Sequence, residues 1–224
     1  PGIPDRGTPD LLLRNEGDHF ESLGALQPEP PQWLSLLGAF TDRDGDGDLD
    51  LLLTTDRPAF AGGRAAFYRN DGTGSDGLPR LVDDAVEIGA RVNASAMGLV
   101  SRDFDHDGML DYCMTDTKPW LVCLVSRGGD GYVETGAAQG LVVEGAGFDP
   151  GEDPLNWTGW GLAMLDLDGD GLLDAVAAAG KPPGDAPEPE DLAPPEPDSL
   201  WRGQPDGSFL AATTAGGWAE TEDH

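Results

Sequence analysis

Three stretches of the chain hold more carboxylates than a core or an ordinary turn calls for, and all three space them identically. Asp42, Asp44, Asp46 and Asp50 stand in "FTDRDGDGDLDLLL", Asp103, Asp105, Asp107 and Asp111 in "SRDFDHDGMLDYCM", and Asp166, Asp168, Asp170 and Asp174 in "LDLDGDGLLDAVAA". Each reads D-x-D-x-D-G-x-x-D, with Gly47, Gly108 or Gly171 in the sixth place. Alternate residues of a curling backbone send their side chains toward one point, and glycine permits the sharp turn that closes the curl. A hard cation that takes about six to eight oxygen ligands fits such a loop, so the chemistry is calcium binding. The first, third, fifth and ninth aspartates offer carboxylates. The backbone carbonyls of Asp48, Met109 and Leu172 add an oxygen at the seventh place. About three ions are expected.

Other ions fit less well. Magnesium prefers a strict octahedron with several waters, and zinc lacks its usual His and Cys ligands here. The helix-flanked calcium hand needs a bidentate Glu at the twelfth place, which here holds Leu53, Met114 and Ala177. The ninth-place aspartate therefore closes the cage, and the ion belongs in a β-hairpin loop. His106, at the fourth place of the second loop, is expected to face solvent. Cytosolic calcium is too scarce to fill weak sites, which points to an extracellular, cell-surface or periplasmic setting.

The loops recur 61 and 63 residues apart, and a weaker element recurs between them. It reads "LLRNEGDHF" at 12–20, "FYRNDGTGS" at 67–75, "LVSRGGDGY" at 124–132 and "LWRGQPDGSF" at 200–209. A carboxylate hairpin thus alternates with a glycine-turn hairpin, giving about four strands per unit. Such a repeat predicts an all-β fold of propeller blades, each of four antiparallel strands, with the aspartate loops in the blade hairpins. Two runs, Gly161 to Leu165 and Ala175 to Ala179, are apolar on both alternations and are expected to be covered on both faces. The blades fall at about 32–90, 91–150 and 151–217, with a leading remnant at 1–31 and a trailing one at 218–224. About three and a half blades do not close a ring, since propellers typically have about four to eight. The remainder is expected from further chain or another subunit; the opening "PGIPDRG" resembles the end of an excised piece. Residues 181–198, "KPPGDAPEPEDLAPPEPD", hold seven prolines and six acids and form an insert in the third blade, expected to stay extended on the surface.

Composition narrows the function. A formal charge of −29, from 42 acids against 13 bases, repels nucleic acid and anionic lipid. No apolar run approaches the roughly 18 residues that cross a bilayer as a helix. Cys113 and Cys123 lie on consecutive apolar segments around the turn at "DTKP" and would fall opposite each other in a hairpin. They form a cross-strand disulfide or stand as two buried thiols.

These residues resemble the FG-GAP/VCBS repeats of integrin α-subunit propellers and their bacterial relatives. "WTGWGLAMLDLDGDGLLD", "LLRNEGDHF" and "FYRNDGTG" are especially similar to the branch that includes cartilage acidic protein and the ASPIC/UnbV-associated proteins. The resemblance covers nearly the whole chain outside the acidic insert. It implies calcium-bound loops in a seven-bladed propeller, secreted or surface-exposed, that serves adhesion or binding. The chain departs from the pattern in holding about half a propeller, no literal "FG…GAP" and no RGD. The leading function is a non-enzymatic, calcium-stabilised binding or adhesion module with a protein or glycan ligand. A carbohydrate-binding propeller is a second reading, with Trp33, Trp120, Trp157, Trp160, Trp201 and Trp218 as candidate platforms, although Trp160 and Trp201 sit in strand patterns that suit a core. An accessory domain of a secreted hydrolase or oxidoreductase is a third. No Ser/His/Asp grouping is legible among His19, His106 and His224. Asn93 and Asn156 match the glycosylation sequon.

Overall fold

Short apolar runs broken by glycine and aspartate turns favour strands over helices, and the computed structural model contains no helix among the residues it describes. These are 9–26, 34–55, 65–128, 131–143, 158–180 and 198–212. Trp33, Trp157, Trp218, Asn156, His224, both chain ends and the acidic insert up to residue 197 lie outside them. The chain divides into two compact units, residues 1–95 and 96–224.

The first unit holds β1 (Leu11–Asn15) paired with β2 (Phe20–Ala25). It also holds a four-stranded antiparallel sheet, β3 (Ser35–Thr41), β4 (Asp50–Thr55), β5 (Ala66–Thr73) and β6 (Pro79–Asp83), in simple up-and-down order. In the second unit, β7 (Leu99–Arg102), β8 (Asp111–Met114), β9 (Val122–Ser126) and β10 (Tyr132–Glu134) form one such sheet. A further sheet follows from β11 (Gly159–Leu165), β12 (Asp174–Ala179), β13 (Ser199–Gly203) and β14 (Phe209–Ala211). Four-stranded antiparallel sheets repeated along the chain are the architecture of propeller blades. Each carboxylate loop joins the first strand of a sheet to the second. Register places the ninth aspartate directly after it, through the pairs Thr41↔Asp50, Arg102↔Asp111 and Leu165↔Asp174.

The second strands run through the middle of the apolar material, and β4 and β8 are buried at every residue. First strands lie at the sheet edges and are covered on one side only, so Phe40 and Leu165 stay exposed. The expectation of two-sided burial therefore fails for Gly161 to Leu165: among the described residues β11 ends its sheet, and Ala163 and Leu165 stay exposed. On the second strand β12 one face is covered, with Ala175 and Ala177 fully buried, while Ala178 on the other face is exposed, so two-sided burial fails there as well.

Within the second unit the two sheets share a core. Cys113, Leu121, Cys123 and Leu141 from one side meet Met164, Ala175, Ala177, Trp201 and Phe209 from the other. Trp201 is fully buried and its indole N–H donates to the Val142 carbonyl at 2.9 Å. Cys113 and Cys123 are directly opposed in the β8–β9 register and form a disulfide inside this core. Trp160 is not core, contrary to its strand pattern. A register shift between Gly159 and Gly161 bulges it out of the β11 ladder, leaving it 40% exposed with its indole N–H on the Gly180 carbonyl. The same bulge recurs in β3, where Leu36 is turned outward.

Candidate metal centre

Each loop builds itself from hydrogen bonds between its own carboxylates and amides. The third-place carboxylate accepts from the fifth-place N–H, at 3.4 Å for Asp44 and Asp46, 3.2 Å for Asp105 and Asp107, and 3.3 Å for Asp168 and Asp170. The fifth-place carboxylate accepts from the seventh-place N–H, so Asp46, Asp107 and Asp170 hold the amides of Asp48, Met109 and Leu172 at 2.8, 2.8 and 2.9 Å. In the second and third loops the first aspartate reaches across the turn. Asp103 accepts from the amides of Asp107 and Gly108, and Asp166 from those of Gly169, Asp170 and Gly171.

The curl needs left-handed backbone at two places, not one. Gly47, Gly108 and Gly171 supply it at the sixth place with φ of 92°, 89° and 89°. At the fourth place the first and third loops use Gly45 and Gly169, whereas the second uses His106 at φ 62°. An L-residue there costs roughly 1–2 kcal/mol, so His106 carries local strain that its glycine counterparts avoid. Its side chain is exposed, as expected.

Three carboxylate groupings result among the described residues. Oxygens of Asp42, Asp44 and Asp46 lie within 4.8 Å of one another, as do those of Asp103, Asp105 and Asp111, and those of Asp166, Asp168 and Asp170. Asp107 is in its loop but outside the second grouping, and Asp50 and Asp174 are outside the first and third. The donor set is all hard oxygen, which suits calcium. One atom supports the fit directly: Asp42 Oδ1 is buried and has no hydrogen-bond partner, a position a cation would satisfy.

The ninth aspartate has a role that sequence reasoning missed. Asp50, Asp111 and Asp174 are at most 2% exposed, and each splits its two oxygens between two backbone amides. One oxygen accepts from the second loop residue: Arg43 at 2.9 Å, Phe104 at 2.7 Å and Leu167 at 3.0 Å. The other accepts from the third strand of the sheet: Asn70 at 2.8 Å, Ser126 at 2.7 Å and Gly203 at 3.0 Å. The carboxylate therefore pins the loop to a strand more than a dozen residues away. A legible signal was the placement of an acid at the head of "DLLL", "DYCM" and "DAVA", where only satisfied hydrogen bonds make burial tolerable. Burial pushes the Asp111 carboxyl up to about 6, against the lowering effect of the Ser126 and Phe104 amides, with Asp105 and Asp107 adding repulsion. Burial raises Asp50 as well.

Cations of the chain offset part of the charge. Arg43, buried in the first loop, donates to Asp84 at 2.9 Å, sits 3.8 Å from Asp50 and covers the Phe67 ring. Its counterparts Phe104 and Leu167 are apolar, so this charge is peculiar to the first loop. Arg202 of β13 pairs with Asp168 and lies 3.8 Å from Asp170. No curated protein matches the chain. Residues 42–114, which contain the first two loops and the sheet strands between them, match the family model described as the FG-GAP-like repeat.

Proposed function

We propose that the chain is a calcium-stabilised, non-enzymatic binding or adhesion module that works outside the cytosol. Its β-propeller-type repeats act as a scaffold, and the three loops each take one Ca²⁺. The ligands in this reading are Asp42, Asp44, Asp46, Asp48 (carbonyl) and Asp50, with Asp103, Asp105, Asp107, Met109 (carbonyl) and Asp111, and Asp166, Asp168, Asp170, Leu172 (carbonyl) and Asp174. The observation that carries it is the buried, unpartnered oxygen of Asp42 beside two further carboxylates, in a loop repeated three times. Carboxylates crowded this closely repel by about 1 kcal/mol per pair even at the dielectric of water, and a bound dication removes that repulsion. The disulfide supports an oxidising compartment, and no helix among the described residues is long and apolar enough to cross a membrane. The ligand is a protein or glycan surface, and the charge of −29 argues against nucleic acid.

Calorimetric titration of the chelator-stripped chain tests the reading. Three calcium ions are expected, with magnesium a poor competitor; a stoichiometry far from three overturns it.

A further inference from the structure

On the third strand of each sheet, the residue just before the amide that holds the ninth aspartate is Arg69 in β5, Val125 in β9 and Arg202 in β13. These positions are equivalent, yet their surroundings differ. Arg69 is held by acids outside its loop, Asp71 at 2.7 Å and Asp84 at 3.5 Å. Val125 brings no charge to the second loop. Arg202 lacks both of the acids that hold Arg69. Gln204 stands where Asp71 does, one place past the bracing amide. Ala212 stands where Asp84 does, its N–H on the Leu200 carbonyl as that of Asp84 is on Phe67. The Arg202 guanidinium turns to the loop itself, pairing with Asp168 and standing 3.8 Å from Asp170.

Asp168 and Asp170 are two of the three carboxylates that converge in the third loop. A guanidinium there and a dication claim the same oxygens, and arginine offers only N–H donors to a cage that takes oxygen ligands. The loop does not need Arg202 for its shape. The amides of Gly169, Asp170 and Gly171 on Asp166, and that of Leu172 on Asp170, already hold the curl. Arg202 is also 53% exposed, so its side chain can swing into solvent without disturbing the core. Giving up an exposed pair of this kind weakens a competing equilibrium by up to about five-fold. Keeping the positive charge beside a dication sets two like charges against each other at short range.

We infer that Arg202 is a competing counter-ion that sets the calcium threshold of the third loop. Calcium fills that loop by displacing the guanidinium from Asp168 and Asp170, so the third site takes its ion at a higher concentration than the second, where Val125 offers no competitor. This deepens the calcium reading and rests on it. Two loops of one unit that fill in order give the chain a graded response to calcium instead of a single step.

A site-resolved NMR titration of the full chain, with calcium alone as the probe, tests this. The Gly108 and Gly171 amides donate to Asp103 and Asp166, the first aspartates of their loops, so their shifts report the two sites separately. The same spectra show whether each variant is folded. In the parent chain Gly108 is expected to reach half its shift at lower calcium than Gly171. Arg202→Gln should lower the Gly171 midpoint about five-fold and leave that of Gly108 in place. Arg202→Lys, which keeps the charge, should stay close to the parent. The inference is overturned if Arg202→Gln moves the Gly171 midpoint by less than about two-fold or raises it. It is equally overturned if Gly108 moves with Gly171, if the Lys and Gln variants behave alike, or if Gly171 responds first in the parent. Should neither glycine respond to calcium in any variant, the calcium reading itself fails and this inference falls with it.

Discussion

Asp50, Asp111 and Asp174 separate two tasks that a spacing pattern merges. In the first and third loops the first three aspartates gather oxygens, in the second Asp103 and Asp105 do so together with Asp111, and in all three the ninth is buried and holds two backbone amides. Replacing Asp174 by Ala leaves the Leu167 and Gly203 amides without their partner, at a cost of about 2–4 kcal/mol in all. That loss is expected to persist in excess chelator, whereas the loss from Asp170→Ala should be larger in calcium-loaded protein and fall in chelator to the cost of the Leu172 amide. Urea unfolding of both variants with and without calcium checks the distinction. Tyr68 gives a pH test at the same scale. Burial first, then the charges of Asp83 and Asp10, push its phenol up to about 12 from the usual 10. The fold therefore favours the protonated phenol, so the unfolded chain ionises first. Its contribution is intact below about pH 10 and is lost as pH rises to about 12. Melting temperature should fall more steeply over that window in the parent chain than in Tyr68→Phe.

At the scale of elements, the sheet hairpins were legible and the irregularities were not. The β8–β9 turn predicted that Cys113 and Cys123 would face each other, and they are bonded. They stand 10 positions apart along the chain, and removing the bond by Cys113→Ala with Cys123→Ala should cost about 2–5 kcal/mol, read as a shift in the urea midpoint. The burial of Trp201 also followed from its strand pattern. Trp160 did not obey its own, because one bulged residue turns a side chain off the ladder and no alternation reveals where a bulge falls. Likewise β11 and β12 look alike in composition, but one is an edge strand and the other is flanked on both sides.

At the scale of the molecule, two units carry unequal shares of the acid loops: one lies in residues 1–95 and two lie in residues 96–224. In the calcium reading, each site filled at about a hundred times its dissociation constant adds about 2.7 kcal/mol to folding. Chelation is expected to lower the melting temperature of the chain, with the larger fall in the second unit. Scanning calorimetry in millimolar calcium and in EDTA measures this, and an unchanged melt would sink the stabilising role.

By itself the sequence determined the loops and their recurrence, because a curl of nine residues is local: alternating aspartates and a glycine at the sixth place specify it without distant partners. It likewise determined the all-β character, since turns and short apolar runs admit little else. Only the tertiary structure decided which carboxylate is buried and which tryptophan is core. Those are matters of what packs across from a residue, and the partners of Asp174 and Trp201 are set by sheet neighbours that local spacing does not encode.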